Sequence, residues 1–249
     1  MKRSGWSGYD ARFADEERVE LYARQYDDGS YDDHVWRLEK PVLMDVLRRE
    51  RVRRGRLGVL DFACGTGRIL REVEKVADEL TGVDISAEMT RRAAEASPRA
   101  LVMTGNVLTE NLLAGPYDAV TVFRFLLNAP RDIRVPVLRR IRQHMKPGGL
   151  LVVNNHGHFP SLRSIAVRVP RSRPERPSEL RHRDIVELLS ASGFRLESRH
   201  GFSAFPPVLH RNLPVTALRR ADAIACRPPL QRITGGLMVE QLYVARAAT

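Results

Sequence analysis

The sequence predicts an α/β fold, a mostly parallel sheet with helices on both faces. Three observations carry this. From Leu57 onward, short apolar runs alternate with segments of helical periodicity: Gly58 to Ala63, Arg68 to Ala77, Leu80 to Ile85, Ala87 to Ala96 and Ala100 to Gly105. The strand-like runs lack polar alternation, as strands covered on both sides do, whereas Leu70, Val73, Val76 and Ala77 give the first helix a single apolar face. A glycine-rich turn separates the first strand from that helix, at Ala63 to Gly67.

The alternation continues toward the C-terminus. Asp118 to Phe125 reads as a strand and Arg131 to His144 as a helix, which Lys146-Pro147-Gly148-Gly149 stops with a turn before a strand at Leu150 to Asn154. Arg181 to Ser192 reads as an amphipathic helix closed by Gly193, followed by strands at Arg195 to Ala204 and Leu237 to Ala245. Two stretches interrupt the pattern. Residues 159–178 are rich in Arg and Pro and read as an irregular insertion, a candidate lid, and residues 206–236 read as a second insertion with one helix near Thr216 to Ala225. Upstream, residues 1–56 mix both charges with scattered aromatics and read as a helical extension or lid rather than core. It comprises a short helix at Glu16 to Tyr26, a turn at Asp27 to Ser30, and a helix from Asp33 to Arg49 that Pro41 kinks or restarts. The expected organisation is therefore an extension at 1–56 and a single decorated domain at 57–249.

Composition narrows the function classes. With 43% hydrophobic and 29% charged residues the 249-residue chain has a packed core. No run approaches the roughly 18 apolar residues of a membrane span, and the first ten residues lack a signal-like apolar stretch, so a cytoplasmic location is expected. Cys64 and Cys226 are too few for a disulfide framework and are read as free thiols. The net charge of +11 is regional: residues 159–236 hold 14 Arg against six acids. That surplus suits weak contact with anionic surfaces.

Geometry gives the glycine turn its meaning. In Val59-Leu60-Asp61-Phe62-Ala63-Cys64-Gly65-Thr66-Gly67-Arg68, small residues at Ala63, Gly65 and Gly67 let a ligand approach the backbone at the carboxyl end of the sheet. Asp84 closes the next strand, where a carboxylate can accept both hydroxyls of a ribose. A dehydrogenase-type dinucleotide site is the competing reading, but Leu70 stands where such sites place a third glycine.

Leu60-Asp61 and Cys64-Gly65-Thr66-Gly67, followed by Gly82-Val83-Asp84-Ile85-Ser86 and Met89, resemble the Rossmann-like, class I S-adenosylmethionine-dependent methyltransferases. The resemblance covers Val59 to Val153. It implies a seven-stranded sheet with the last strand antiparallel, the methionine moiety of the cofactor near Asp61, Ala63, Cys64, Gly65 and Gly67, its ribose on Asp84, and its adenine near Ile85 and Met89. The turn that commonly touches the adenine amine in this family reads Gly105-Asn106-Val107 here. Phe123 and Arg124, at the end of the fourth strand, fall where the family places cofactor and acceptor contacts. The sequence there is not the Asn/Asp-Pro-Pro-Tyr of enzymes that methylate amino groups of DNA bases and glutamine. Extensions like residues 1–56 fold over the pocket mouth in this family, which makes Tyr26 a candidate cover and Arg37 a candidate partner of the cofactor carboxylate.

Methyl transfer to a hydroxyl calls for a proton acceptor, and His156 or His158, after the fifth strand, could serve near neutral pH. No metal is expected, because His156-x-His158 has no neighbouring carboxylate or Cys. The apolar run Phe202, Phe205, Pro206, Pro207, Val208 and Leu209 offers a wall for a bulky acceptor, so a small-molecule, glycan or lipid acceptor is expected. Two alternatives stay open: an RNA-directed methyltransferase, supported only by the regional Arg surplus, and a non-enzymatic S-adenosylmethionine-binding protein.

Overall fold

A computed structural model describes residues 19–20, 24, 26, 29–159, 161, 180–205, 215–227 and 235–248. Among these the first long element is helix α1 (Tyr31–Arg54), started by Ser30, whose hydroxyl accepts the Asp33 amide, and ended at Gly55. Its helical assignment is continuous through Pro41, where a restart was one expectation. A proline removes one intrahelical hydrogen bond, and the turns on either side are held by packing: Val35, Leu43 and Leu47 are fully buried. The expectation that residues 1–56 stand apart from the core is therefore corrected for α1, whose apolar stripe covers one face of the sheet together with α2 and α3.

The βαβ alternation follows. Strand β1 (Gly58–Phe62), helix α2 (Arg68–Val73), strand β2 (Glu79–Asp84), helix α3 (Ala87–Ala96) and strand β3 (Leu101–Thr104) succeed one another. Strand β4 (Tyr117–Val122), helix α4 (Arg131–Gln143) and strand β5 (Met145–Asn155) then lead to a short parallel pair, β6 (His158–Phe159) with β7 (Leu180–Arg181). Helix α5 (His182–Ala191), strand β8 (Phe194–Phe202), helix α6 (Val215–Ala225) and strand β9 (Glu240–Ala247) complete the order.

The main sheet has seven strands in the order β3-β2-β1-β4-β5-β9-β8, with β9 antiparallel to both neighbours. On one face Leu43 and Leu47 of α1, Leu70 and Val73 of α2 and Ala93 of α3 bury against β1 and β5. On the other, Val137, Leu138 and Ile141 of α4 and Ile185 and Leu189 of α5 cover β4, β5 and β9.

Two boundaries differ from expectation. The turn at residues 146–149 is absorbed into β5 as a register shift between the Tyr117–Met145 and Ala119–Leu150 pairs, because Gly148 takes a positive φ of 61° without leaving the sheet. Strand β4 stops at Val122 rather than Phe125, since Arg124 has φ 56°, a left-handed value that takes a side-chain-bearing residue out of the extended conformation. The insertion expected at 159–178 falls almost entirely outside the described residues, as do Pro206 to Leu209. The helix expected near Thr216 to Ala225 is α6. No helix of the described residues is long and apolar enough to cross a membrane.

Candidate functional site

The parallel strands end together at one mouth, and the glycine turn lies across it. Ala63, Gly65 and Gly67 all take positive φ, at 56°, 54° and 82°, so the chain reverses within five residues and enters α2. The Cys64 amide donates to the Val83 carbonyl at 3.1 Å, tying the turn to β2. Asp84 fixes two loops at once: its carboxylate accepts the Gly65 amide at 2.9 Å and the Ser86 amide at 3.0 Å. Burial pushes this carboxyl above its usual range, against those hydrogen bonds.

Two residues of the turn, Cys64 and Gly67, also serve packing. A Cβ on Gly67 would lie 2.8 Å from Ala93 Cα, so its smallness seats the turn against α3. Cys64 is buried with its Sγ 3.3 Å from where a Cβ on Gly82 would be, and burial pushes its thiol up. Gly65 is the turn glycine that meets Asp84.

Beside the turn opens a shallow cleft, with about 320 Å³ of empty space when its solvent-filled mouth is counted. Ala63, Asp84, Ile85, Gly105, Asn106 and Val107 line it, with apolar walls from Phe62, Val83 and Phe125 that sequence reasoning had not assigned to the site. The Asn106 Oδ1 already accepts the Leu108 amide at 2.9 Å, which leaves one of its two lone pairs for a further donor. Met89 is buried but does not line the cleft; its amide is taken up by the Ser86 hydroxyl at the start of α3.

The other end of the mouth is ionic. Asp61, at 1% exposure, accepts the Thr121 hydroxyl at 2.6 Å on Oδ1, while its buried Oδ2 has no partner. Burial raises its carboxyl to about 7, although Thr121 and the positive charge of Arg68 pull the other way. Arg68 stacks its guanidinium 4.2 Å from the Tyr26 ring and 4.5 Å from the Trp36 ring. Phe123 packs edge-on to Trp36, with ring centroids 6.2 Å apart.

Arg124 points its guanidinium at Asp32, 2.6 Å away, with Glu240 at 3.9 Å, and its amide donates to the Asn154 Oδ1 at 2.7 Å. Burial opposes its charge, but Glu240, Tyr26, Asp32 and Glu39 hold it well above the ordinary arginine value. Arg37 lies on the exposed side of α1, with its Nε donating to both oxygens of Asp33 at 3.1 and 3.0 Å.

The two histidines after β5 diverge. His158 is 2% exposed, with its Nε2 donating to the Gly236 carbonyl at 3.0 Å, and burial lowers its affinity for a proton. His156 is partly exposed at the tip of the loop. Among the described residues no group of three His, Cys, Asp or Glu could hold a metal ion.

The unpartnered Asp61 Oδ2 and the buried Nη1 of Arg68, which also has no partner, present a negative and a positive charge beside the turn. An α-amino acid carries the complementary pair. With the carboxylate of Asp84 and the Ile85, Asn106 and Val107 walls in the adjoining cleft, the residues present fit S-adenosylmethionine.

Comparison with known proteins agrees. Residues 59–149 match the family described as Methyltransferase domain. An uncharacterized methyltransferase of Geobacillus kaustophilus is 31% identical over 98 residues, 38% of this chain and 44% of that one. The ubiquinone biosynthesis O-methyltransferase of Xanthomonas campestris is 27% identical over 114 residues, 44% of this chain and 47% of that one. The matches thus span less than half the length of either curated relative. Among solved structures, the magnesium protoporphyrin IX methyltransferase of Synechocystis with bound SAH superposes with a TM-score of 0.65 at 16% identity. It covers 98% of this chain and 100% of its own, a likeness of fold. Residues 59–149 are thus a methyltransferase domain, carried on a Rossmann-like seven-stranded sheet.

Proposed function

We propose that the protein transfers the methyl group of S-adenosylmethionine to a hydroxyl oxygen of a small-molecule acceptor, with glycan and lipid-type molecules included in that class. The observation that carries the reading is a cleft lined by Asp84, Ile85, Asn106 and Val107 beside the glycine turn, with the unpartnered atoms of Asp61 and Arg68 on the residues that flank that turn. When bound, the cofactor supplies a methyl carbon made electrophilic by its sulfonium. The chain's own part is to hold that carbon in line with the acceptor oxygen and to exclude water.

Asp84 and the apolar walls Phe62, Val83 and Phe125 fix the nucleoside. Arg124, clamped by Asp32 and Glu240 at the end of β4, and Asn154, which accepts the Arg124 amide, shape the floor toward the acceptor. His156 is the proton acceptor in this reading. His158 fastens the loop instead, because its ring is committed to the Gly236 carbonyl and shielded from solvent. As an oxygen–methyl bond formed and the methyl–sulfur bond broke, with the sulfur leaving as a neutral thioether, the hydroxyl proton would pass to the His156 imidazole and on to water.

The name of one relative supports an oxygen acceptor: the Xanthomonas protein is an O-methyltransferase. The Arg surplus that would favour RNA lies largely at positions outside the described residues, and no structural observation adds to it.

A screen of glycosides, phenols and phospholipids with cofactor labelled in the methyl group tests the reading. Label is expected in a hydroxylated acceptor, and His156→Ala is expected to lower kcat by about 100-fold or more, the usual scale of a lost general base, with cofactor affinity unchanged. Label transferred only to RNA would overturn the acceptor class. Unchanged kcat in His156→Ala would remove the base.

A further inference from the structure

Where β8 and β9 approach the loop after β5, four polar side chains meet with no carboxylate among them. The sheet register sets Arg199 of β8 opposite Tyr243 of β9. The first residue of α5, His182, lays its imidazole over the Tyr243 ring, with centroids 5.7 Å apart and planes 12° from parallel. His158 joins them through Gly236: its Nε2 donates to the Gly236 carbonyl at 3.0 Å, and Nη2 of Arg199 lies 3.1 Å from where a Cβ on Gly236 would be. The bare backbone at 236 thus leaves the guanidinium its place near His158.

The four do not satisfy one another. Tyr243 is fully buried and His158 is 2% exposed, yet the Tyr243 hydroxyl, the His158 Nδ1 and the buried Nδ1 of His182 have no hydrogen-bond partner. Buried polar atoms left unmet are costly. Arg199 is exposed and makes no ion pair with any described carboxylate. Burial, and behind it the Arg199 charge, lowers the proton affinity of His158 and of His182. The same charge opposes the burial that leaves the Tyr243 hydroxyl raised to about 12. Three groups able to carry positive charge therefore crowd one place, and an oxyanion is the species that relieves all of them.

We propose that Arg199, His182, His158 and Tyr243 form a subsite for an oxyanion, a carboxylate or phosphate borne by the methyl acceptor. This rests on the O-methylation reading and narrows its acceptor to a hydroxylated anion. The guanidinium fork offers such a group two parallel donors, and the Tyr243 hydroxyl a third. Each imidazole donates from Nδ1 once the anion has drawn a proton onto the ring, since an opposite charge favours the protonated form. Position ties the subsite to the chemistry. His156, the proton acceptor, stands two residues before His158 on the same loop, a span of at most about 7 Å along the chain. One small molecule can therefore set its hydroxyl at the first histidine and its anion at the second.

Titration of the full chain with inorganic phosphate and with acetate, followed in the ring C–H signals of its histidines, tests the site itself. Both anions are expected to move the His158 and His182 signals to saturation at millimolar concentration. Arg199→Met is expected to weaken that binding by about tenfold or more, the scale of a lost hydrogen bond to a charged group. Arg199→Lys, which keeps the charge without the fork, should fall between. With methyl-labelled cofactor, a hydroxybenzoate and a hydroxyphenyl phosphate are compared with phenol, which tells a carboxylate from a phosphate. At least one of the two is expected to exceed phenol in kcat/KM by about tenfold or more, and Arg199→Met to bring that ratio close to one.

Histidine signals that ignore both anions, or that respond equally in Arg199→Met, overturn the proposal. Equal kcat/KM for phenol and both anionic acceptors overturns the acceptor's share of it, and phosphate is then an adventitious ion only. Anion binding intact but label on no oxygen sinks the O-methylation reading instead.

Discussion

The Asp222 carboxylate lies 2.7 Å from Nε2 of His34, joining helix α6 to the start of α1 across 188 residues of sequence. Both side chains are almost wholly buried. The same carboxylate accepts the Ala204 amide at 2.7 Å and the Ser203 hydroxyl at 3.3 Å. One acid thus fastens the region after β8, where the second insertion begins, onto the helix that covers the sheet.

Asp222→Ala removes the acceptor from the buried His34 ring and the part-buried Ala204 amide, while the Ser203 hydroxyl keeps the Phe205 carbonyl. A loss of about 3 kcal/mol is expected, the low end for breaking a buried pair, which lowers Tm by roughly 6–12 °C in a chain of this size. Differential scanning calorimetry checks it; an unchanged Tm would mean that α6 is held by other contacts.

Gly67→Ala meets two obstacles. Its φ of 82° disfavours any side chain, and the added methyl would sit 2.8 Å from the Ala93 backbone. The combined strain and overpacking should cost about 2–4 kcal/mol. Chemical denaturation of the variant reads this directly, and a cost below about 1 kcal/mol would show that α3 can yield.

Asp84→Ala frees the Gly65 and Ser86 amides and removes the carboxylate facing the ribose end of the cleft. Cofactor affinity should fall by roughly 10- to 100-fold, as for a lost hydrogen bond to a charged group. A variant that titrates like the parent would place the ribose elsewhere.

The Asp61 carboxyl, raised by burial to about 7 in the free protein, gives cofactor binding a pH dependence with a definite sign. Below that value the free protein holds a proton on Asp61, and a bound ammonium favours the carboxylate, so binding expels the proton. Affinity should therefore rise with pH between about 5 and 7, by up to about tenfold per unit, and level off above. For folding the sign is opposite: the raised value binds a proton more tightly in the folded state, so Asp61's contribution to stability is present in acid and lost as pH rises through about 7. Asp61→Asn should accordingly raise Tm at pH 8 while weakening and flattening the binding curve. Titrations in buffers of different ionisation enthalpy count the proton; none released at pH 6 would dissociate Asp61 from the ammonium.

Much of the site was legible because it is local. A strand, a turn with glycines at 65 and 67, and a helix are written in consecutive residues, and Asp84 follows one βα unit later, so spacing alone brings it to the Gly65 amide. What spacing does not show is the packing that individual small residues also allow. Gly67, read as admitting a ligand, also makes room for Ala93, and Gly82 makes room for Leu70 and Cys64, contacts between elements that only packing brings near.

The chain's sequence by itself determined the parallel core, the order of its βα units and the carboxylate that closes β2, since each depends on periodicity or turn chemistry within about twenty residues. Tertiary structure alone decided that α1 is a layer of the core and that β9 inserts between β5 and β8. It also decided that the free guanidinium at the mouth belongs to Arg68 rather than Arg37. The physical reason is common to all three: each is settled by which distant apolar and aromatic surfaces bury one another, as when Tyr26 and Trp36 close on Arg68 while Asp33 holds Arg37 on the outside.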